Sequence, residues 1–163
     1  VGGYYKMPIA YIALGSNLGE KKQNILTALN YMEQSGLKVL AVSSLLETEP
    51  YGVTDQPFFI NAAVKIETEL AAHDLLRLLL AIELKMGRVR KRHWGERNID
   101  LDLLLYDNLV IKDKDLILPH PDMQNRFFVL SPLAEIAGDV IHPVFKITIS
   151  DMLDNLASGD ENK

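Results

Sequence analysis

Up to Tyr106 the chain alternates short apolar segments with segments of helical period, and this order limits the possible folds most. Residues 9–14 (IAYIAL) form a compact apolar run ended by Gly15, the signature of a buried strand. Ser16 and Asn17 are good helix-capping residues, and Ile25, Leu29 and Met32 then recur on one helical face until Gly36. Residues 37–47 are rich in Val and Leu and predict a second strand; residues 58–67 alternate well enough for a third. Residues 71–86 predict a helix with Leu75, Leu78, Leu79 and Ile82 inward and Gly87 as its stop, and residues 98–106 a last strand. Strand, helix, strand, strand, helix, strand is the βαββαβ order. The expected class is therefore α+β: a ferredoxin-like, mainly antiparallel sheet with helices on one face. A C-terminal extension over residues 116–154, rich in proline, adds one or two short helices.

A length of 163 residues suits one domain, expected over residues 9–157, with 1–8 as an extension and 158–163 as a polar tail. Apolar residues at 48% provide for a sizeable core. No apolar run is long enough to span a bilayer, no secretory signal is visible, and cysteine is absent. A cytoplasmic protein without a membrane partner is the expectation. A net charge of −5 argues against a nucleic-acid binder held by a basic surface. Yet Lys85, Arg88, Arg90, Lys91, Arg92 and Arg97 crowd one stretch against Glu96 alone, which is either a local anion site or a solvated charged loop.

Asp100-Leu101-Asp102 follows that stretch directly. On a strand the two carboxylates share a face while Leu101 and Leu103 take the other. Neighbouring carboxylates repel unless a cation sits between them, and magnesium commonly takes one or two carboxylates together with phosphate oxygens. Two ordinary acids on a wet sheet face are the bland alternative. Arginines suit phosphate because their planar fork grips two oxygens and keeps its charge. The glycine-rich phosphate loop G-x-x-x-x-G-K-[ST] is missing, so side chains must hold any triphosphate. Trp94, the single tryptophan, is either a structural anchor or a side chain that packs on a base or closes over the site. His120, between two prolines, is a satisfied loop histidine or a phosphate ligand, and Arg126 alone is a surface arginine. Asn61 either bonds its neighbours or reads the amide-like edge of a heterocycle, with Phe59 and Phe128 on the ring faces.

Taken in order, Ala10-Tyr-Ile-Ala-Leu-Gly-Ser-Asn-Leu, Asp55-Gln-Pro-x-x-x-Asn61, Gly87-Arg-Val-Arg, Arg97-x-x-Asp-Leu-Asp102-x-x-x-Tyr106 and Pro119-His-Pro-x-Met-x-x-Arg126 resemble the 6-hydroxymethyl-7,8-dihydropterin pyrophosphokinase family. The resemblance extends from Ile9 to about Leu153. It implies the ferredoxin-like fold and transfer of pyrophosphate from ATP to the pterin's hydroxymethyl group, with AMP released, in folate biosynthesis. It further implies that Asp100 and Asp102 hold two magnesium ions, with Arg88 and Arg97 beside them as catalytic residues. Glu83, Arg90, Trp94, Leu103, His120 and Arg126 match ATP positions. Thr48, Glu49, Pro50, Tyr51, Phe59, Asn61 and Phe128 match pterin positions. The family's Trp-Gly-Pro-Arg-Thr is here Trp94-Gly-Glu-Arg-Asn98, His93 replaces a frequent arginine, Leu80 a polar nucleotide contact, and Phe59 a frequent tyrosine. The nucleophile is the substrate's own hydroxyl, and alignment and charge neutralisation carry the reaction. The rivals are a ferredoxin-like binding module and a kinase that moves a single phosphate.

Overall fold

The computed structural model describes residues 6–48, 58–87 and 98–161. Its elements in chain order are β1 (Ile9–Ser16), α1 (Lys21–Gln34), β2 (Lys38–Val42), β3 (Leu46–Thr48), β4 (Phe59–Glu67), α2 (Ala72–Lys85), β5 (Asp100–Tyr106), β6 (Ile111–Lys112), β7 (Ile117–Leu118), α3 (Phe127–Ala137) and α4 (Ile149–Glu161). The first five strands make one antiparallel sheet in the order β2-β4-β1-β5, with β3 added to β4 beyond the end of β2, and β6 and β7 form a small hairpin. The fold is thus a mixed α/β arrangement on an antiparallel sheet.

Burial explains why the chain closes this way. β1 and β4 are the central strands, and Ile12, Leu14, Val64 and Ile66 send their side chains to one face. There they meet Ile25 and Met32 of α1 and Leu75, Leu79 and Ile82 of α2. The opposite face is also covered, which departs from the expected one-sided layer. Tyr11, Ala63, Leu104 and Leu105 pack under Val129, Leu130 and Leu133 of α3 and Ile149 and Met152 of α4. The signal for this second layer lay in the β strands themselves, since β4 is buried almost throughout rather than on alternate residues. A register shift opposite Tyr11 and Ile12 lets Leu104 and Leu105 both join the second core.

Three local expectations are corrected. Ser16 and Asn17 do not cap α1; Ser16 ends β1, and the helix starts at Lys21 after Glu20, without a side-chain cap. Instead the Asn24 amide reaches back to Ser16 Oγ at 3.2 Å and to the Leu18 carbonyl at 3.0 Å. The second strand is broken at Ser43. Its N–H donates to the Ala63 carbonyl at 2.9 Å while its Oγ accepts from Ala63 N–H at 2.8 Å, so a side chain continues the ladder across the gap. Residues 158–161, expected in a polar tail, are the last residues of α4. The helix stops hold: Gly36 and Gly87 have φ of 96° and 67°, a region open to glycine and costly for other residues. Among the described residues no helix is long and apolar enough to cross a membrane.

Candidate active site

The strand register builds the site. Gly15 pairs with Asn61 of β4 on one side and with Asp100 of β5 on the other, so Asn61, Gly15 and Asp100 form one row across three strands. The next row is Ala63, Ala13, Asp102. Residues in a row point to the same face, here the face under α3. Two strand spacings separate the Asn61 and Asp100 backbones by about 10 Å. Between them the floor is only glycine and alanine. A Cβ at Gly15 would stand 3.0 Å from Asn61 Oδ1 and 3.9 Å from Phe59 Cδ1, so the glycine makes the room the amide uses.

At one end of the row, Asn61 is buried and its Nδ2 donates to Thr48 Oγ1 at 2.9 Å. β3 holds the hydroxyl there by pairing Thr48 with Phe59. A neighbouring side chain, rather than backbone, therefore orients the amide. Phe59 is half-buried on the same face, and Phe128, at the start of α3, is half-buried where α3 packs on β4. Thr48, Phe59 and Asn61 are thus placed together, while Phe128 packs on the second core at the start of α3. Glu49, Pro50 and Tyr51 lie outside the described residues.

At the other end, Asp100 and Asp102 are half-buried while Leu101 and Leu103 are buried in the first core, as the alternation predicts. Glu83, itself buried on α2, accepts the Leu101 N–H through Oε2 at 2.7 Å. This bond anchors the edge strand between its two aspartates, giving Glu83 a structural duty that the ATP assignment did not include. Asp100, Asp102, Leu103, Glu83 and His120 line one cleft of about 470 Å³ with Lys114 and Ile117 at its β6–β7 wall. The His73 ring and the Asp113 carboxylate, 2.6 Å apart, tie that hairpin to α2.

His120 enters the cleft from a segment whose backbone N–H donates to the Leu104 carbonyl at 2.9 Å. Its Nδ1 accepts the Asp122 N–H at 3.2 Å, which leaves Nε2 as the protonated nitrogen of the neutral ring. Burial, and then the Arg126 guanidinium, hold its pKa below the usual histidine value against the opposing pull of Asp122 and Asp100. His120 therefore offers a hydrogen bond rather than a full charge near neutral pH. Arg126 donates through Nε to Asp122 Oδ2 at 2.8 Å and lies 5.9 Å from the Phe128 ring. Asp122 was not singled out in the sequence; its spacing of three and four from Asn125 and Arg126 is the only signal it carries. Arg88, Arg90, Trp94 and Arg97 lie outside the described residues. The residue that follows them, Asn98, donates from Nδ2 to the carbonyls of Met86 at 2.8 Å and Gly87 at 3.3 Å, which brings the two ends of that stretch together.

Paired acids in a cleft at the β5 edge, with the Asn61 amide and Phe59 on the same sheet face two strands away, suit a phosphorylated ligand meeting a flat heterocycle. The family model for 7,8-dihydro-6-hydroxymethylpterin-pyrophosphokinase matches residues 11–138. The chain belongs to this family. It is 49% identical over 138 residues to the 2-amino-4-hydroxy-6-hydroxymethyldihydropteridine pyrophosphokinase of Haemophilus influenzae, covering 84% of this chain and 86% of that one. Its identity to the enzyme of the same name from Methylorubrum extorquens is 47% over 136 residues, covering 83% and 86% of the two chains. The crystal structure of wild-type Plasmodium falciparum HPPK-DHPS with pteroate superposes with a TM-score of 0.78 at 16% identity and shares the fold. That match covers 100% of this pyrophosphokinase chain and 45% of the Plasmodium chain, so the chain spans less than half of that structure.

Proposed function

We propose that this chain transfers pyrophosphate from ATP to the hydroxyl of 6-hydroxymethyl-7,8-dihydropterin, giving AMP and the pterin diphosphate, on the sheet face that runs from Asn61 to Asp100 and Asp102. What supports the reading is the row Asn61–Gly15–Asp100, which sets a heterocycle reader and a carboxylate pair on one face about 10 Å apart. In this reading β1, α1, β2, β4, α2 and β5 follow the ferredoxin-like plan, and the setting is cytoplasmic.

Asn61, steadied by Thr48, pairs with the polar edge of the pterin, and Phe59 and Phe128 take its two faces. That pose directs the hydroxymethyl group along the glycine–alanine floor towards β5. The donor set of Asp100 and Asp102 is all oxygen and includes no third His, Asp, Glu or Cys among the described residues. Such a pair fits magnesium, which keeps waters and phosphate oxygens in most of its positions, and two ions are expected with ATP. Bound there, magnesium supplies neutralisation of phosphate charge. His120 donates its Nε2–H to a phosphate oxygen, Arg126 and Arg90 contact the triphosphate, and Glu83, Leu103 and Trp94 shape the nucleotide pocket. The pterin oxygen attacks the β-phosphorus, the bond from that phosphorus to the bridging oxygen breaks, and AMP leaves with the electron pair. The hydroxyl proton passes to solvent. Arg88 and Arg97 neutralise the charge that builds on the transferred group.

The test is the nucleotide product. With Mg·ATP and the pterin alcohol, AMP is expected. ADP would indicate transfer of one phosphate, and tight binding without turnover would indicate a binding module.

A further inference from the structure

Asp122 is an acid placed where acids should be unwelcome, beside the side chains expected to meet a triphosphate. Its contacts account for it. Oδ2 accepts from Arg126 Nε at 2.8 Å, Oδ1 accepts from Asn125 Nδ2 at 2.9 Å, and its backbone N–H donates to His120 Nδ1 at 3.2 Å. Arg126 is the more enclosed partner, with 16% of its side chain exposed against 38% for Asp122. The bond is made at Nε, the guanidinium nitrogen nearest the chain, so it sets the direction of the guanidinium plane rather than capping its tip. Arg126 also rests 5.9 Å from the Phe128 ring, which limits the plane from a second side.

We infer that Asp122 is a positioning residue of the pyrophosphokinase, orienting Arg126 towards the nucleotide phosphates before ATP arrives. This rests on the reading above, in which Arg126 contacts ATP. An unrestrained arginine loses rotamer freedom when it meets a phosphate, and one held beforehand has already lost it on folding. Two other readings predict different signs. An ordinary surface ion pair leaves nucleotide affinity unchanged when it is removed. A merely repulsive carboxylate lets the nucleotide bind more tightly when its charge is removed.

The experiment measures binding of Mg·AMPCPP, an analogue that cannot release AMP, to the full chain and to Asp122→Asn, Arg126→Ala and the double variant. Wild-type AMP production is measured alongside, so failure of the reaction itself is seen separately. Asp122→Asn is expected to raise the Kd about tenfold, the scale of one charge-assisted contact. Arg126→Ala should raise it at least as much, and the double variant should match Arg126→Ala within about twofold, because both changes remove one interaction. Unchanged or tighter binding by Asp122→Asn, or losses that multiply in the double variant, overturn the inference. Should thermal melting show Asp122→Asn unfolded, Asn125→Ala takes its place, since it removes only the bond that steadies Asp122. A rise in Kd of about threefold is then expected, and unchanged binding overturns the inference.

Discussion

Gly15 and Asp100 carry most of the argument among single residues. A methyl group at position 15 would meet Asn61 Oδ1 at 3.0 Å, so Gly15→Ala must turn the amide or shift β4. We expect pterin KM to rise on the order of tenfold while Mg·ATP binding holds, because the Cβ faces Asn61 rather than the acids. Equal losses for both substrates in steady-state kinetics would count against the placement. Asp100→Ala and Asp102→Ala should each reduce turnover by on the order of a hundredfold or more. The aspartates were legible from spacing alone, since strand alternation forces Asp100 and Asp102 onto one face. Asp122 was not legible, because nothing in an isolated Pro-Asp-Met reveals that its carboxylate meets Arg126.

On the scale of elements, β5 is an edge strand that must present two carboxylates without sagging, and Glu83 ties it to α2 at Leu101. Glu83→Leu keeps the volume and leaves a buried N–H unpaired, at a cost of about 1–3 kcal/mol of stability. The same variant should lower turnover more than it raises KM for ATP, because the aspartates lose their alignment. Urea unfolding and steady-state kinetics on one preparation check both parts. The strand–helix order was readable from periodicity up to Tyr106, and the buried faces of α1 and α2 fall on Ile25, Leu29, Met32, Leu75, Leu79 and Ile82 as expected. The break in the second strand was not readable, since Ser43 completes the ladder with a hydroxyl that a Val- and Leu-rich pattern conceals. Nor was the true start of α1, because Ser16 has the chemistry of a cap and the position of a strand end.

The whole molecule is a sheet covered on both faces, and its pH response follows from two histidines, the buried His142 and the half-buried His120 at the cleft. His142 is buried, its Nδ1 accepts N–H bonds from Val144 and Phe145 at 3.2 and 3.1 Å, and burial lowers its pKa. His120 is lowered too, first by burial and then by Arg126. Both rings bind protons more readily in the unfolded chain, so stability is full above the ordinary value of 6.5 and falls as pH drops through it. Asp113, lowered chiefly by the Leu116 N–H, and Asp122, lowered chiefly by Asn125, contribute stability above their ordinary value of 3.8 that is lost further into acid. His142→Gln should flatten the decline below the ordinary histidine value of about 6.5, and a decline of unchanged steepness in thermal melting would reassign it. The helices of the C-terminal extension were expected, but not that α3 and α4 cover the second face of the sheet, because the order of the elements does not say where helices after the last strand pack.

The reaction itself is tested most directly by following the β-phosphorus. With ATP labelled at the β-phosphate, Mg²⁺ and 6-hydroxymethyl-7,8-dihydropterin, the label should appear in the pterin product as unlabelled AMP is released. Label retained in ADP, with only the γ-phosphate moved, would contradict the account.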